Sequence, residues 1–257
     1  MSNGTTRFMY AGHAIGAAAQ FHRLDQTENL NHVVPTLGAS VLPVTGGRSE
    51  ARLPQPFRFD VDAPRRRCLL SVDRIETWAE GRQRNGAWET ELSIDIGGFE
   101  VVEKLHIDLI RLHMHSARTA TGDPVVTTLG NRIEGMRLGN VEARVTIVDE
   151  PLTFAGTDTQ LAGYYQGRGQ ALQQAGGHSL STVVRNIELV GSEVDKQPMS
   201  VNGNTIVWTG FGRIILGEIH VKGHERRLTM VRLAMGSDAG GSGSAGDGQS
   251  NGDPVMG

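Results

Sequence analysis

Any chemistry in this sequence falls to its histidines and acids. His113 and His115 stand two apart in RLHMHS, a spacing that puts both imidazoles on one face of a strand. Glu218 and His220 share a face in GEIHVK in the same way, with His224 across the following turn. A metal centre needs three or four such donors converging, with neutral imidazoles oriented by further partners. His113, His115, Glu218 and His220 are therefore the set from which a metal-dependent β-barrel enzyme or a small-ligand binder would be built. Two features oppose it. Ser116-Ala117-Arg118-Thr119 occupies the interval where metal sites built on His-x-His carry a glutamate, and Arg111 and Lys222 on the same faces repel a cation. The preferred reading is solvated histidines on polar sheet faces, with no cofactor.

Other chemistries have less to build on. No Gly-x-Ser-x-Gly elbow, His-Glu-x-x-His pair or Walker loop occurs, and the Gly-x-Gly-x-x-Gly at Gly241, Gly243 and Gly246 follows no expected strand and opens no helix. Asp60 and Asp62 in FDVDAP are read as solvated acids of an extended segment. Trp78, Trp88 and Trp208 are the residues a carbohydrate-binding β-sandwich would present on a sheet face; tryptophans of β proteins more often pack partly into the core. The single Cys68 excludes an intrachain disulfide framework and a multi-cysteine zinc site. A formal net charge of −3 gives no electrostatic reason to expect nucleic acid or an anionic membrane surface. No stretch approaches the roughly 20 apolar residues of a membrane-spanning helix. With a poor signal-peptide core at the N-terminus, the expectation is a soluble protein, cytoplasmic or exported by a non-Sec route.

The elements that would position these residues are strands. Residues 201–236 form the most regular run. Ile215, Gly217, Ile219 and Val221 alternate there with Leu216, Glu218, His220 and Lys222, the period of a half-buried strand. A second run, Leu228 to Met235, is apolar on both faces, which places it centrally in a sheet. Asn85-Gly86, Gly97-Gly98, Gly139-Asn140 and Asn202-Gly203 each separate alternating segments, the signal of two-residue hairpin turns. Glycine, 34 of 257 residues, fits a turn-rich β protein. The fold class is all-β: antiparallel hairpins forming a sandwich or partly closed barrel, with an extended N-terminal arm and one short helix.

The expected organisation is an arm and extended segment over residues 1–64, a β domain over 65–236 and a Gly/Ser-rich tail over 237–257. The β domain divides into two loosely similar units, 65–150 and 178–236, around a helical or loop insert at 151–177, with the helix candidate at 157–177. Ala11 to Gln20 is readable as a helix or as an extended arm laid on a partner. Pro35 and Pro43 mark residues 28–47 as an edge strand or extended crossing. The tail carries too little apolar surface to order in a lone monomer.

GFGRIILGEI followed by ERRLTMVRLAMG and a Gly/Ser tail resembles uncharacterised bacterial β-rich proteins, and is faintly similar to choice-of-anchor type surface proteins. That resemblance covers the last quarter of the chain. It implies β architecture and carries no catalytic residue. The functional expectation is a non-enzymatic structural or interaction protein, a homo-oligomer assembled by strand addition through its arm and sheet edges, with Val33, Val34, Leu37, Val41 and Leu42 as anchors.

Overall fold

A computed structural model of the protein describes residues 7–22, 31–61, 67–119, 125–149, 160, 163, 173–175, 178–222, 225–236 and 240–255. Nearly all of these are in strands. In chain order they are β1 (Arg7–Phe21), β2 (His32–Val41), β3 (Gly47–Arg52), β4 (Phe57–Val61), β5 (Arg67–Val72), β6 (Arg74–Arg84) and β7 (Ala87–Val101). Next come β8 (Leu105–Arg118), β9 (Val125–Thr128), β10 (Arg132–Glu134), β11 (Met136–Leu138), β12 (Val141–Ile147), β13 (Gln173–Ala175), β14 (His178–Thr182) and β15 (Val184–Val190). A single-turn helix, α1 (Glu193–Lys196), precedes β16 (Met199–Asn202), β17 (Thr205–Trp208), β18 (Gly212–Lys222), β19 (Glu225–Met235) and β20 (Gly241–Val255).

Two antiparallel sheets result, packed face to face as a sandwich rather than closed as a barrel. The first runs β13-β14-β18-β19-β20-β1-β2, with the β16–β17 hairpin attached to β18. The second runs β15-β12-β11-β8-β7-β5-β4, with β6 and then β3 beside β7, and β9 and β10 beside β8. Inward residues of β7 and β8, including Leu92, Ile94, Ile96, Ile110, Leu112 and Met114, are fully buried. They meet Ala14, Phe21, Leu228, Met230 and Leu233 of the first sheet in one hydrophobic core. Ser40 and Thr77 also face each other across it, and their hydroxyls hydrogen-bond at 2.7 Å.

The first sheet is creased where it lies over the second. Pairing lapses at one level across five adjacent strands, at Gly38, Gly16, Gly246, Met230 and Gly217. Gly38, Gly246 and Gly217 sit there at φ 59°, 66° and 56°, the left-handed region that glycine enters without steric cost. Ile75 of the second sheet fills the space above Gly16 and Gly38, so a Cβ at either would overlap it. The crease changes the phase of the strands. On β18 the buried residues are Ile214 and Leu216 before Gly217, then Ile219 and Val221 after it, so the single alternation expected through Ile215 and Gly217 is replaced by two half-patterns.

Several expectations are corrected. Ala11 to Gln20 is strand, because β1 lies inside the first sheet between β20 and β2 and its backbone is laddered on both sides. The N-terminal segment is thus woven into the sandwich rather than an arm. The tail also orders, as β20, paired with β1 along its length and with β19 from Gly241 to Ser250. Apolar side-chain area was the wrong criterion for it: flanking strands satisfy its main chain, and its glycines admit the close approach of Leu112. Gly97-Gly98 is a bend and not a turn. β7 continues through it, with Gly98 at φ 64° beneath Asp73, and reverses at Val102 and Glu103, which take φ 54° and 55° themselves. Asn85-Gly86 and Gly139-Asn140 are the expected hairpin turns, while the turn after Asn202 is Gly203-Asn204. Of the helix expected over 157–177, Gln160 and Gly163 are helical and Gln173–Ala175 forms β13; the remainder lies outside the described residues.

Gly16→Val sets a branched side chain against both Ile75 and the Leu37 carbonyl, whose oxygen would lie 2.8 Å from the new Cβ. It is expected to cost about 2 kcal/mol or more of unfolding free energy in urea titration. Gly236→Ala, where no atom lies within 4 Å of the added carbon, is expected to be nearly neutral.

Candidate functional site

The sandwich splits the histidine set. On β8, Leu112 and Met114 point into the core, so His113 and His115 lie on the outer face of the second sheet. On β18, Ile219 and Val221 point inward and place Glu218 and His220 on the outer face of the first. The two pairs therefore stand on opposite exteriors of the molecule and cannot converge on one ion. Among the described residues no three His, Cys, Asp or Glu side chains are grouped to hold a metal. His224 lies outside those residues.

Each pair has local partners. His113 Nε2 is 2.9 Å from Glu91 Oε1, and His115 Nε2 is 3.9 Å from Glu89 Oε2, both across the β7–β8 ladder. Arg82 ties together Glu80, Glu89 and Glu91, and Arg111 pairs with Asp95. This outer face is a charge-balanced lattice. Glu218, in turn, pairs with Arg232 of β19.

The tryptophans form no common platform. Trp88, 7% exposed, stacks on Phe8 with ring centroids 4.9 Å apart between the sheets. Trp208 stacks on Phe211 at 5.1 Å. Trp78 faces outward on β6 beneath Arg48, whose guanidinium carbon is 4.6 Å from the ring centroid, a cation–π contact that covers the aromatic face.

A polar constellation with a buried acid at its centre is on the outer face of the first sheet. Cross-strand pairing sets Val41, His13, Gln249, Arg227 and His220 in one row, and Ile15, Asp247, Thr229 and Glu218 in the next. Asp247, only 3% exposed, accepts hydrogen bonds from Arg227 Nε at 2.8 Å and Thr229 Oγ1 at 3.2 Å, and a second from the Arg227 guanidinium. Burial pushes the His13 imidazole below its usual value, against the opposing pull of Asp247 and Glu225 and with a smaller push from Arg227. Sequence reasoning missed His13, Arg227 and Asp247. Asp247 was hidden in a segment classed as tail; its one signal was a lone acid among the glycines and serines of residues 240–250.

Toward β2 the same face turns apolar. Val33 and Val41 are 63% and 64% exposed, with Met9, Ala11, Ala39 and Val44 also exposed nearby on β1, β2 and the strand end. The five expected anchors thus separate. Val34, Leu37 and Leu42 are buried in the molecule's own core, so they cannot serve a partner; Val33 and Val41 are outside. Among the described residues β2 is laddered on one side only, to β1.

Arg227→Ala would leave the Asp247 carboxylate buried without its main counter-charge. Discounted for the solvent exposure of the arginine, the cost is expected to be about 2 kcal/mol in chemical denaturation, with Asp247→Asn in the same chain recovering part of it. For His13, the depressed folded value means that the unfolded chain takes up the proton first. Stability from this group is complete above the unfolded value of 6.5 and falls as pH drops from there toward the folded value. Urea midpoints at about pH 8 and about pH 5.5 are expected to differ less in His13→Asn than in the wild type.

A family profile described as a domain of unknown function, DUF8256, matches residues 8–179. That span runs from β1 to the start of β14 and includes β2 and the whole β7–β8 face, while β15 to β20 lie beyond it. No curated protein and no solved structure matches the chain. No helix among the described residues is long and apolar enough to cross a membrane. With about two thirds of its length matched, the chain belongs to the DUF8256 family.

Proposed function

We propose that the protein is a structural or interaction module that associates with copies of itself by strand addition at β2. The observation that carries this reading is the state of that strand: an end strand of the first sheet whose outward side chains Val33 and Val41 are 63% and 64% exposed. Long edge strands with apolar outward residues are templates for pairing, since the main chain supplies hydrogen bonds and the side chains supply cross-strand contacts. Pro35 removes one donor from this edge, so an added strand would pair on either side of it, over Val33 and over Thr36 to Val41. Val34, Leu37 and Leu42 hold β2 on the core and so present that edge rigidly.

Deleting residues 1–47 would be a poor test, because it removes β1 from the interior of the sheet. Val33→Lys with Val41→Lys changes the outward face alone. In light scattering, the wild type is expected to run as an oligomer and the double variant as a monomer of unchanged thermal stability. A wild type that stays monomeric at the highest attainable concentration would sink the reading.

A further inference from the structure

We infer that β20 is an exchangeable strand, and that at high protein concentration the slot between β1 and β19 accepts the β20 of a second copy of this chain in place of its own. This rests on the interior of the sheet and is independent of pairing at the β2 edge.

The slot is specific in shape. Removing β20 from the sandwich leaves two facing edges, β1 from Arg7 to Phe21 and β19 from Arg226 to Met235, each laddered to it in the present structure. The opposite sheet narrows the space between them. A Cβ at Gly248 would lie 2.9 Å from a Leu112 methyl, and one at Gly246 would lie 3.1 Å from Ile110 Cγ2. An ordinary apolar strand would not fit here; a strand of glycine and serine does.

The slot is also specific in position. Asp247 reaches Arg227 and Thr229 of β19 from the middle of β20, and its burial makes any other placement leave a carboxylate without partners. A slip by one residue would turn that side chain to the opposite face.

What holds β20 in place is indifferent to which chain supplies it. Among the described side chains of β20, Ala245 is the apolar one found in the core, so there the main-chain ladders with the Asp247 pair carry most of the attachment. These contacts are identical in the closed and exchanged arrangements, and only the connection differs. Met235 and Gly241 are joined by residues 236–240, which when extended span roughly 20 Å. That reach carries the strand from one sandwich into a neighbour. Each copy then donates β20 to the next and receives one, a reciprocal dimer where the rotation closes and a chain of molecules where it does not.

Ala234 on β19 and Ser242 on β20 are direct cross-strand partners, and both are exposed. Ala234→Cys with Ser242→Cys converts them to a reporter of connectivity, while the native Cys68 is buried and remote in sequence. The full-length variant is refolded at low and at high protein concentration, oxidised, and run on a non-reducing denaturing gel. Exchange yields disulfide-linked dimers or ladders that grow with concentration and collapse on reduction. Cross-linking confined to monomers at every concentration overturns the inference, and does so even if light scattering shows an oligomer, in which case edge pairing at β2 stands alone. Should the double variant fold poorly, the two single variants refolded together serve instead. A disulfide-linked heterodimer supports exchange, and its absence counts against it.

Discussion

The structure depends on how closely the first sheet lies on the second along the crease at Gly16 and Gly38. Ile75 occupies the space that side chains would need at both positions. Because the contact is made by main chain rather than by interleaved side chains, the sheets meet at less than the spacing that two leucine-lined faces would set. The five-strand lapse in pairing lies at the level of this contact, with Gly16 and Gly38 against Ile75. Curvature of this kind is normally obtained from bulges and glycine kinks. Here the kinks line up from strand to strand and act as one fold in the sheet.

The polar groups are arranged to suit this packing. Outward faces of both sheets carry charge, and several charged residues pair with an opposite two places along the strand, as with Arg48 and Glu50, Arg58 and Asp60, or Arg144 and Glu142. Such exposed pairs contribute little stability each. Asp247 with Arg227 is the exception, since the carboxylate is buried and its position fixes a strand that has few side chains to fix it otherwise. Val33 and Val41, near the two ends of β2, stand out against that lattice as exposed apolar side chains.

How far the chain was legible can be read from individual residues. Alternation in Thr90 to Asp95 and in Ile110 to His115 matches the faces found, because within these stretches the period is undisturbed; between Ile107 and Ile110 the buried set of β8 changes phase. Ile215 to Val221 was misphased because the deciding event, the crease at Gly217, is imposed by Val183 and Val184 from a distant part of the sequence. Gly97-Gly98 looked like a turn for the same reason: a glycine pair signals conformational freedom, and only Asp73 above it decides that the freedom is used for a bend. The histidine pairs were correctly paired along each strand. Their opposition across the sandwich depends on sheet assignment, which local pattern does not contain. Asp247 and the order of the tail were invisible to any argument from side-chain hydrophobicity, because β20 is held by its backbone.

β1 and β20 are hydrogen-bonded neighbours that lie at opposite ends of the sequence, with Arg7 beside Val255 and Phe21 beside Gly241. On the ribosome, β1 emerges first and must wait for its partner until the remainder has been made, an interval on the order of ten seconds or more at ordinary elongation rates. The second sheet, whose pairings from β4 to β12 join strands near one another in sequence, can assemble during that time. The first sheet cannot close its centre. The nascent protein thus passes through a stage in which one half of the sandwich is complete and the other presents an open backbone cleft, a natural point for chaperone engagement and the stage at which crowding by sister chains has the most influence on the outcome.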